Sequence, residues 1–214
     1  MSPTLHHQIK TLETEQDLIL GTRKVELGHL AKIIQDQLNR QGSASVTFVC
    51  THNSRRSQLA ELWFSAAAWH YQLSGIESYS GGTSATAFNP RMVEALVRFG
   101  FNLMKTTDSD NPRYLTNLSE SPGQEKVMFS KKYDDPFNPQ KDFIAVMVCS
   151  QADHDCPFVP GAFARVSLPY DDPKAFDGTG QEEQAYDEKV EEIGREILYL
   201  VRVLSSNIQL RIKN

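Results

Sequence analysis

The sequence predicts an α/β fold: an open four-stranded parallel sheet flanked by helices on both faces, with a β-hairpin insertion and a helical N-terminal extension. Three observations carry this prediction. Two near-continuous apolar runs, VTFVC ending at Cys50 and FIAVMVC ending at Cys149, suit strands that are covered on both faces. Strand-like runs alternate with segments of helical periodicity, the pattern of βαβ units. Caps and glycines fall between them, where elements should start and stop.

The first 44 residues differ from the rest of the chain. Leu27, Leu30, Ile34 and Leu38 recur at helical spacing, and Gln41-Gly42-Ser43 breaks the pattern just before the first strand. We expect one amphipathic helix here, lying on the domain or on a second subunit. The first strand, Val46 to Cys50, leads almost at once into a helix with Leu59, Leu62, Trp63, Ala66 and His70 on one stripe. A second strand, Ile76 to Ser80, stops at Gly81-Gly82. Asn89-Pro90 then supplies an N-cap and a proline at the first helical position, and Gly100 closes the helix that carries Val93, Leu96 and Val97. Phe143 to Cys149 is the central strand, Arg165 to Leu168 a fourth, and residues 182–205 a long helix with Tyr186, Val190, Ile193, Ile197, Leu200 and Leu204 on one face.

Between Asp108 and Asp142 the chain is rich in Asp, Asn, Pro, Ser and Lys. Arg113 to Leu118 and Lys126 to Tyr133, separated by Ser121-Pro122-Gly123, are expected to pair as an exposed hairpin. The organisation predicted is therefore an extension over 1–44 and one domain over 45–214, with an insertion at about 108–142.

Composition narrows the function. At 214 residues with 40% hydrophobic content, one domain with a sizeable core is expected. No apolar run approaches the roughly 20 residues that span a bilayer. Met1 to Gln8 shows no basic segment followed by an apolar stretch, so we expect a cytoplasmic protein. A net charge of -5 argues against a general nucleic-acid binder, which needs a basic face. Three cysteines, Cys50, Cys149 and Cys156, are an odd number and too few for a disulfide scaffold. They are expected to be thiols used in structure, metal binding or catalysis.

The strongest chemical signal is Cys50-Thr51-His52-Asn53-Ser54-Arg55-Arg56-Ser57, a cysteine and an arginine separated by five residues between a buried strand and a helix. Such a loop aims several unpaired backbone N–H groups, and the positive end of the helix dipole, at one point. A tetrahedral oxyanion fits there. Arg56 is suited to close the cradle with two parallel hydrogen bonds, which lysine does less well. The same donors favour thiolate over thiol at Cys50, and Ser57 is placed to donate to its sulfur. Cys50 also ends a strand, as does Cys149, and Asp171-Asp172 comes shortly after the fourth strand. Ligands of open parallel sheets bind beyond the carboxyl ends of strands, so these groups are expected to converge on one edge.

Cys149 and Cys156 are seven residues apart. In a helix that places their α-carbons about 10.5 Å apart, beyond the roughly 7 Å that a disulfide tolerates. Bridging them requires a loop, or a helix that unwinds. A zinc site of Cys149, His154 and Cys156 lacks a clear fourth ligand and departs from the usual spacings, so no metal is expected from these groups.

VTFVCTHNSRRSQLAELWF, SGGTSATAFNPRMVEAL, VCSQADHDCP and YDDPKAF resemble the low-molecular-weight protein tyrosine phosphatase superfamily, in particular its thioredoxin-coupled arsenate reductase branch. The likeness runs over roughly residues 45–205. It implies a four-stranded parallel sheet, an anion-binding loop from Cys50 to Ser57, a general acid at Asp172, which precedes Pro173, and a mobile redox relay at Cys149 and Cys156 reduced by thioredoxin. It also implies a monovalent cation beneath the loop, with Asn53, Glu61 and Ser80 matching three of its ligands. Three departures stand out. His52 replaces a usual glycine, Arg55 stands where many members carry a second cysteine, and Lys174-Ala175-Phe176 replaces the tyrosines that frame aromatic substrates in the phosphatases. Arg55 and His52 are expected either to add positive charge to the loop or to face solvent.

Two enzymatic readings are open, and a third that is not enzymatic. In the first, Cys50 attacks arsenate and the three cysteines relay the resulting oxidation outward. In the second, Cys50 forms a phosphocysteine that water hydrolyses, with Asp172 as acid and then base. A phosphate-binding module without turnover is the third, and it has no need of a nucleophile and an acid together.

Overall fold

The structure, a computed structural model, describes residues 1–118, 125–156 and 158–212, the last three of these by backbone alone. Its main sheet has four parallel strands, β1 (Ala44–Cys50), β2 (Ile76–Gly82), β6 (Phe143–Met147) and β7 (Ala162–Ser167), in the order β2-β1-β6-β7. The expected α/β architecture is present. β1 and β6 are central, and Phe48, Val49, Ile144 and Val146 are fully buried, which explains why their runs do not alternate.

Helix α3 (Arg56–His70) connects β1 to β2, and α5 (Ser150–Asp155) connects β6 to β7. The two crossovers step in opposite directions along the sheet, so right-handed connections put α3 and α5 on opposite faces. The long α6 (Glu182–Ile212) packs against α3 and also against α2 (Gly21–Gln41). Helix α4 (Pro90–Arg98) starts where the sequence places it: Asn89 caps it by accepting from the Met92 N–H at 3.3 Å. Of its predicted apolar stripe, Val97 is half-exposed.

The N-terminal extension is more than one helix. α1 (Pro3–Thr14), begun by Ser2 and Pro3, precedes a 3-10 turn (Gln16–Leu18) and α2. Leu5, Ile9, Leu12, Leu27, Leu30 and Ile34 enter the same continuous core as the sheet. Leu38 is only partly buried. The adjacent Gln37 takes the interior position because its amide reaches the carbonyl of Asp142 and the N–H of Ser45.

The insertion departs further from expectation. β4 (Tyr114–Asn117) and β5 (Glu125–Met128) pair antiparallel, and the intervening Ser121-Pro122-Gly123 lies outside the described residues. A short β3 (Met104–Lys105), which sequence reasoning missed, adds a third strand. The hairpin is not exposed throughout: Tyr114, Thr116, Leu118 and Met128 are buried, because alternate side chains face the core. Beyond β5 the chain runs along the end of β2, where the Gly82 N–H donates to Lys131 O at 2.9 Å and the Tyr133 N–H donates to Gly82 O at 3.0 Å. The insertion thereby reaches the edge where β1 ends in Cys50.

Candidate active site

The loop after β1 is shaped by what happens to its carbonyls. Cys50 O accepts from the Thr83 N–H (3.1 Å), Thr51 O from the Ser84 N–H (2.8 Å) and Ser54 O from the Asn89 N–H (2.9 Å). His52 O accepts from Ser130 Oγ at 2.8 Å, and Asn53 O from Gln58 Nε2 at 2.7 Å. Every carbonyl from Cys50 to Ser54 thus points outward to a partner. Among the described residues, none takes the N–H groups of Thr51 to Arg55. A row of free donors at a helix N-terminus is chemically suited to receive an anion.

Asn53 makes the turn possible. It adopts φ 46, a left-handed conformation that asparagine tolerates well. His52 therefore needs no glycine-like backbone, which accounts for that substitution. The Asn53 side chain braces the loop from inside, with Nδ2 donating to Ser57 Oγ (2.8 Å) and Oδ1 accepting from the Lys131 N–H (2.9 Å). Ser57 Oγ lies 3.0 Å from Cys50 Sγ, as expected. Since Asn53 occupies an acceptor position of that hydroxyl, its proton is free for the sulfur.

Arg56 and the loop after β7 meet directly. Arg56 Nη2 pairs with Asp172 Oδ2 at 2.7 Å, and Nη1 donates to Tyr170 O at 2.8 Å. Its Nε is buried without a partner among the described residues. Asp172 faces the loop while Asp171 is exposed, and Asp172 also caps the 3-10 turn Pro173–Phe176 through the Lys174 N–H (3.1 Å).

A model of the family described as low molecular weight phosphotyrosine protein phosphatase matches residues 45–119. The arsenate reductase of Halalkalibacterium halodurans is 30% identical over 156 residues, 71% of this chain and 91% of that protein. The chain belongs to the low-molecular-weight protein tyrosine phosphatase superfamily, in its arsenate reductase branch. The arsenate reductase of Bacillus subtilis is 29% identical over 154 residues, with the same 71% and 91% coverage. Arsenate reductase 2 of Staphylococcus haemolyticus is 28% identical over 131 residues, 60% of this chain and 78% of that protein.

Arg55, the departure from the family pattern, neither faces solvent nor lines the loop freely. Its Nε donates to Tyr186 Oη at 2.9 Å, and the guanidinium lies 3.8 Å from Asp172 and 3.6 Å from Asp177. Burial and the hydrogen bond to Asp177 push the Tyr186 hydroxyl up to about 12. Arg55 therefore ties the start of α3 to α6 and to the Asp172 loop.

The three cysteines of this superfamily member are free thiols, Cys50 and Cys149 buried and Cys156 partly exposed. β1 and β6 are neighbours in register through Val49 and Met147; Cys50 is the last residue of β1, and Cys149 follows β6 by two residues as the N-cap of α5 rather than ending the strand. Cys149 Sγ is 3.5 Å from Thr51 Oγ1 and caps α5 by accepting from the Ala152 N–H at 3.3 Å. Cys156 is the C-cap of the same helix. Of the two possibilities for this segment, the structure has the helix. The Arg165 guanidinium clips its far end, donating to Cys156 O (2.8 Å) and Asp153 O (2.6 Å) and pairing with Asp153 Oδ1 (2.6 Å). His154 points away, its side chain exposed and paired with Asp155.

Several supporting residues were not foreseen. Arg23 of α2 donates to Pro169 O at 3.0 Å, pairs with Glu196 at 2.8 Å and stacks over the Tyr170 ring with its Cζ 4.6 Å from the centroid. It holds the backbone whose Tyr170 carbonyl holds Arg56. Ser130 and Lys131 do the same for His52 and Asn53 from the insertion. These contacts link positions 78 to 146 residues apart in sequence, and no local pattern announces them.

Proposed function

We propose that this protein reduces arsenate to arsenite. Cys50 thiolate attacks the arsenic of an arsenate held by the loop N–H groups and Arg56, and Asp172 protonates the departing oxygen, which leaves as water. Cys149 thiolate then attacks Cys50 Sγ. The sulfur–arsenic bond breaks with its electron pair staying on arsenic, so arsenic falls from the +5 to the +3 state and a Cys50–Cys149 disulfide forms. Cys156 thiolate next attacks Cys149 Sγ and frees Cys50, leaving a Cys149–Cys156 disulfide. A dithiol reductant of the thioredoxin class returns the two electrons. Arg56 would exchange its bond to Asp172 for the oxyanion, which releases that carboxyl group for proton transfer.

The observation that supports this reading is the position of Cys149, its Sγ 3.5 Å from Thr51 Oγ1 and two residues beyond the end of the strand that pairs with the Cys50 strand. Phosphomonoester hydrolysis through a phosphocysteine has no use for a second thiol there. The test compares wild type and Cys149→Ser in thioredoxin-coupled arsenate reduction and in aryl-phosphate hydrolysis. Loss of multiple-turnover reduction with any hydrolysis retained is expected. If both activities are indifferent to the substitution, the relay is wrong.

A further inference from the structure

Beneath the loop lies a buried carboxylate that already has its cation. Glu61, on α3 five residues after Arg56, is 4% exposed. Its Oε1 is 3.1 Å from Lys126 Nζ. The same Nζ is 2.6 Å from Ser78 O, 3.0 Å from Ser78 Oγ and 2.9 Å from Ser65 Oγ. Four oxygens at these distances, one of them a carboxylate and one a backbone carbonyl, form the all-oxygen shell in which a hard monovalent cation sits. Lys126 comes from β5 of the insertion, whereas all four oxygens belong to α3 and β2.

The cation site implied by the resemblance, at Asn53, Glu61 and Ser80, does not fit an additional ion. Both ends of the Asn53 amide are engaged, by Ser57 and by the Lys131 N–H. Among the described residues Glu61 Oε2 and Ser80 Oγ are buried without hydrogen-bond partners, yet the carboxylate is already paired with the Lys126 ammonium at 3.1 Å. Lys126 and Lys131 both act on Glu61, and Asp135 acts on Lys131 from elsewhere in the insertion. A further ion would leave one buried positive charge uncompensated, which is costly. Against the opposing effect of burial, the two lysines hold the Glu61 carboxyl below the usual range, so it is ionised and paired.

We propose that the insertion supplies this protein's own cation: the Lys126 ammonium takes the place of a free monovalent ion beneath the oxyanion loop, fastening α3 and β2 to the hairpin. The proposal concerns the support of the loop and holds whichever oxyanion the loop binds. It makes stability and loop geometry independent of which monovalent salt is present.

Thermal unfolding of the full chain in potassium chloride and in tetramethylammonium chloride, at matched ionic strength, tests it. Wild type should melt at the same temperature in both. Lys126→Met should melt several degrees lower in tetramethylammonium and regain part of the loss in potassium or ammonium chloride, and the double variant Lys126→Met/Glu61→Gln should lose that response. Thallium(I) NMR provides a second measurement on the wild type alone, with no line broadening expected from a bound ion. Stabilisation of wild type by potassium over tetramethylammonium, or thallium binding to it, would overturn the proposal. So would a folded Lys126→Met that responds to potassium no more than wild type does.

Discussion

Gly82 ends β2 where three backbone segments meet, and replacing it with alanine should damage the loop far more than the fold. A Cβ there would stand 2.2 Å from Ser84 O, 2.8 Å from Asn53 N and 2.8 Å from Thr51 O, where ordinary contact begins at 3.4 Å. All three are main-chain atoms, so no side chain can swing aside. The nearest pair must part by about 1 Å, and a misplacement of that size costs roughly 100-fold in rate. Two of the three atoms belong to the loop that presents the N–H donors. Overpacking of this kind destabilises by about 1–3 kcal/mol, which in a chain of this length lowers the melting temperature by roughly 2–12 °C. The expected result for Gly82→Ala is therefore a folded protein with arsenate turnover down roughly 100-fold and weaker inhibition by inorganic phosphate. Gly28→Ala is the control. It makes the same change in the middle of α2, where no atom of the described residues lies within 4 Å of the added Cβ, and should stabilise by about 0.5–1 kcal/mol without altering turnover. If Gly82→Ala stays within twofold of wild type in turnover and phosphate inhibition, the loop does not depend on this close approach.

Two further outcomes are expected from contacts away from the loop. Arg165→Met removes the charge-assisted clip that holds the far end of α5, a contact present only while the helix is intact. Hydrogen bonds to charged groups contribute about 1.5–3 kcal/mol, so the proposed Cys149–Cys156 couple should move about 30–60 mV more negative in a redox titration, and an unchanged midpoint would mean that the clip does not distinguish the dithiol from the disulfide. Glu13 is desolvated by burial, but Tyr71, Lys10 and His70 outweigh this and hold its carboxyl below the usual 4.5. A depressed carboxyl contributes stability that is fully present above its unfolded value and lost as pH falls through its folded one. Urea midpoints measured from neutral pH downward should therefore fall less steeply below pH 4.5 in Glu13→Gln than in wild type, with the residual slope set by groups such as Glu61; parallel curves would exclude Glu13 as a contributor.

The main sheet and the anion loop were legible because both are local. A strand covered on both faces must be apolar at consecutive positions, and the loop's donors come from eight successive residues. The capped start of α4 and the pairing of Cys50 with Ser57 were equally readable. The first helix of the extension was not, since Leu5, Ile9 and Leu12 form a stripe too short to stand out. The hairpin's burial was missed for a different reason: its polar composition hides an inward row of Tyr114, Thr116 and Leu118. Sequence leaves Arg55 open between loop charge and a solvent-facing side chain because its partners Asp177 and Tyr186 are more than 120 residues away.

By itself, the sequence determined the succession of the four main-sheet strands, the cysteine and arginine placed five residues apart between a strand and a helix, and the separation of Cys149 from Cys156. Tertiary structure alone decided which groups these residues meet. It turned the loop carbonyls outward onto Thr83, Ser84, Asn89 and Ser130, set Arg56 against Asp172, and brought a lysine of the insertion to Glu61. The physical reason is range: backbone periodicity and capping act over a few residues and leave a trace in the chain. Hydrogen bonds and ion pairs act over a few ångströms of space, and that proximity exists only once the sheet has closed around its core.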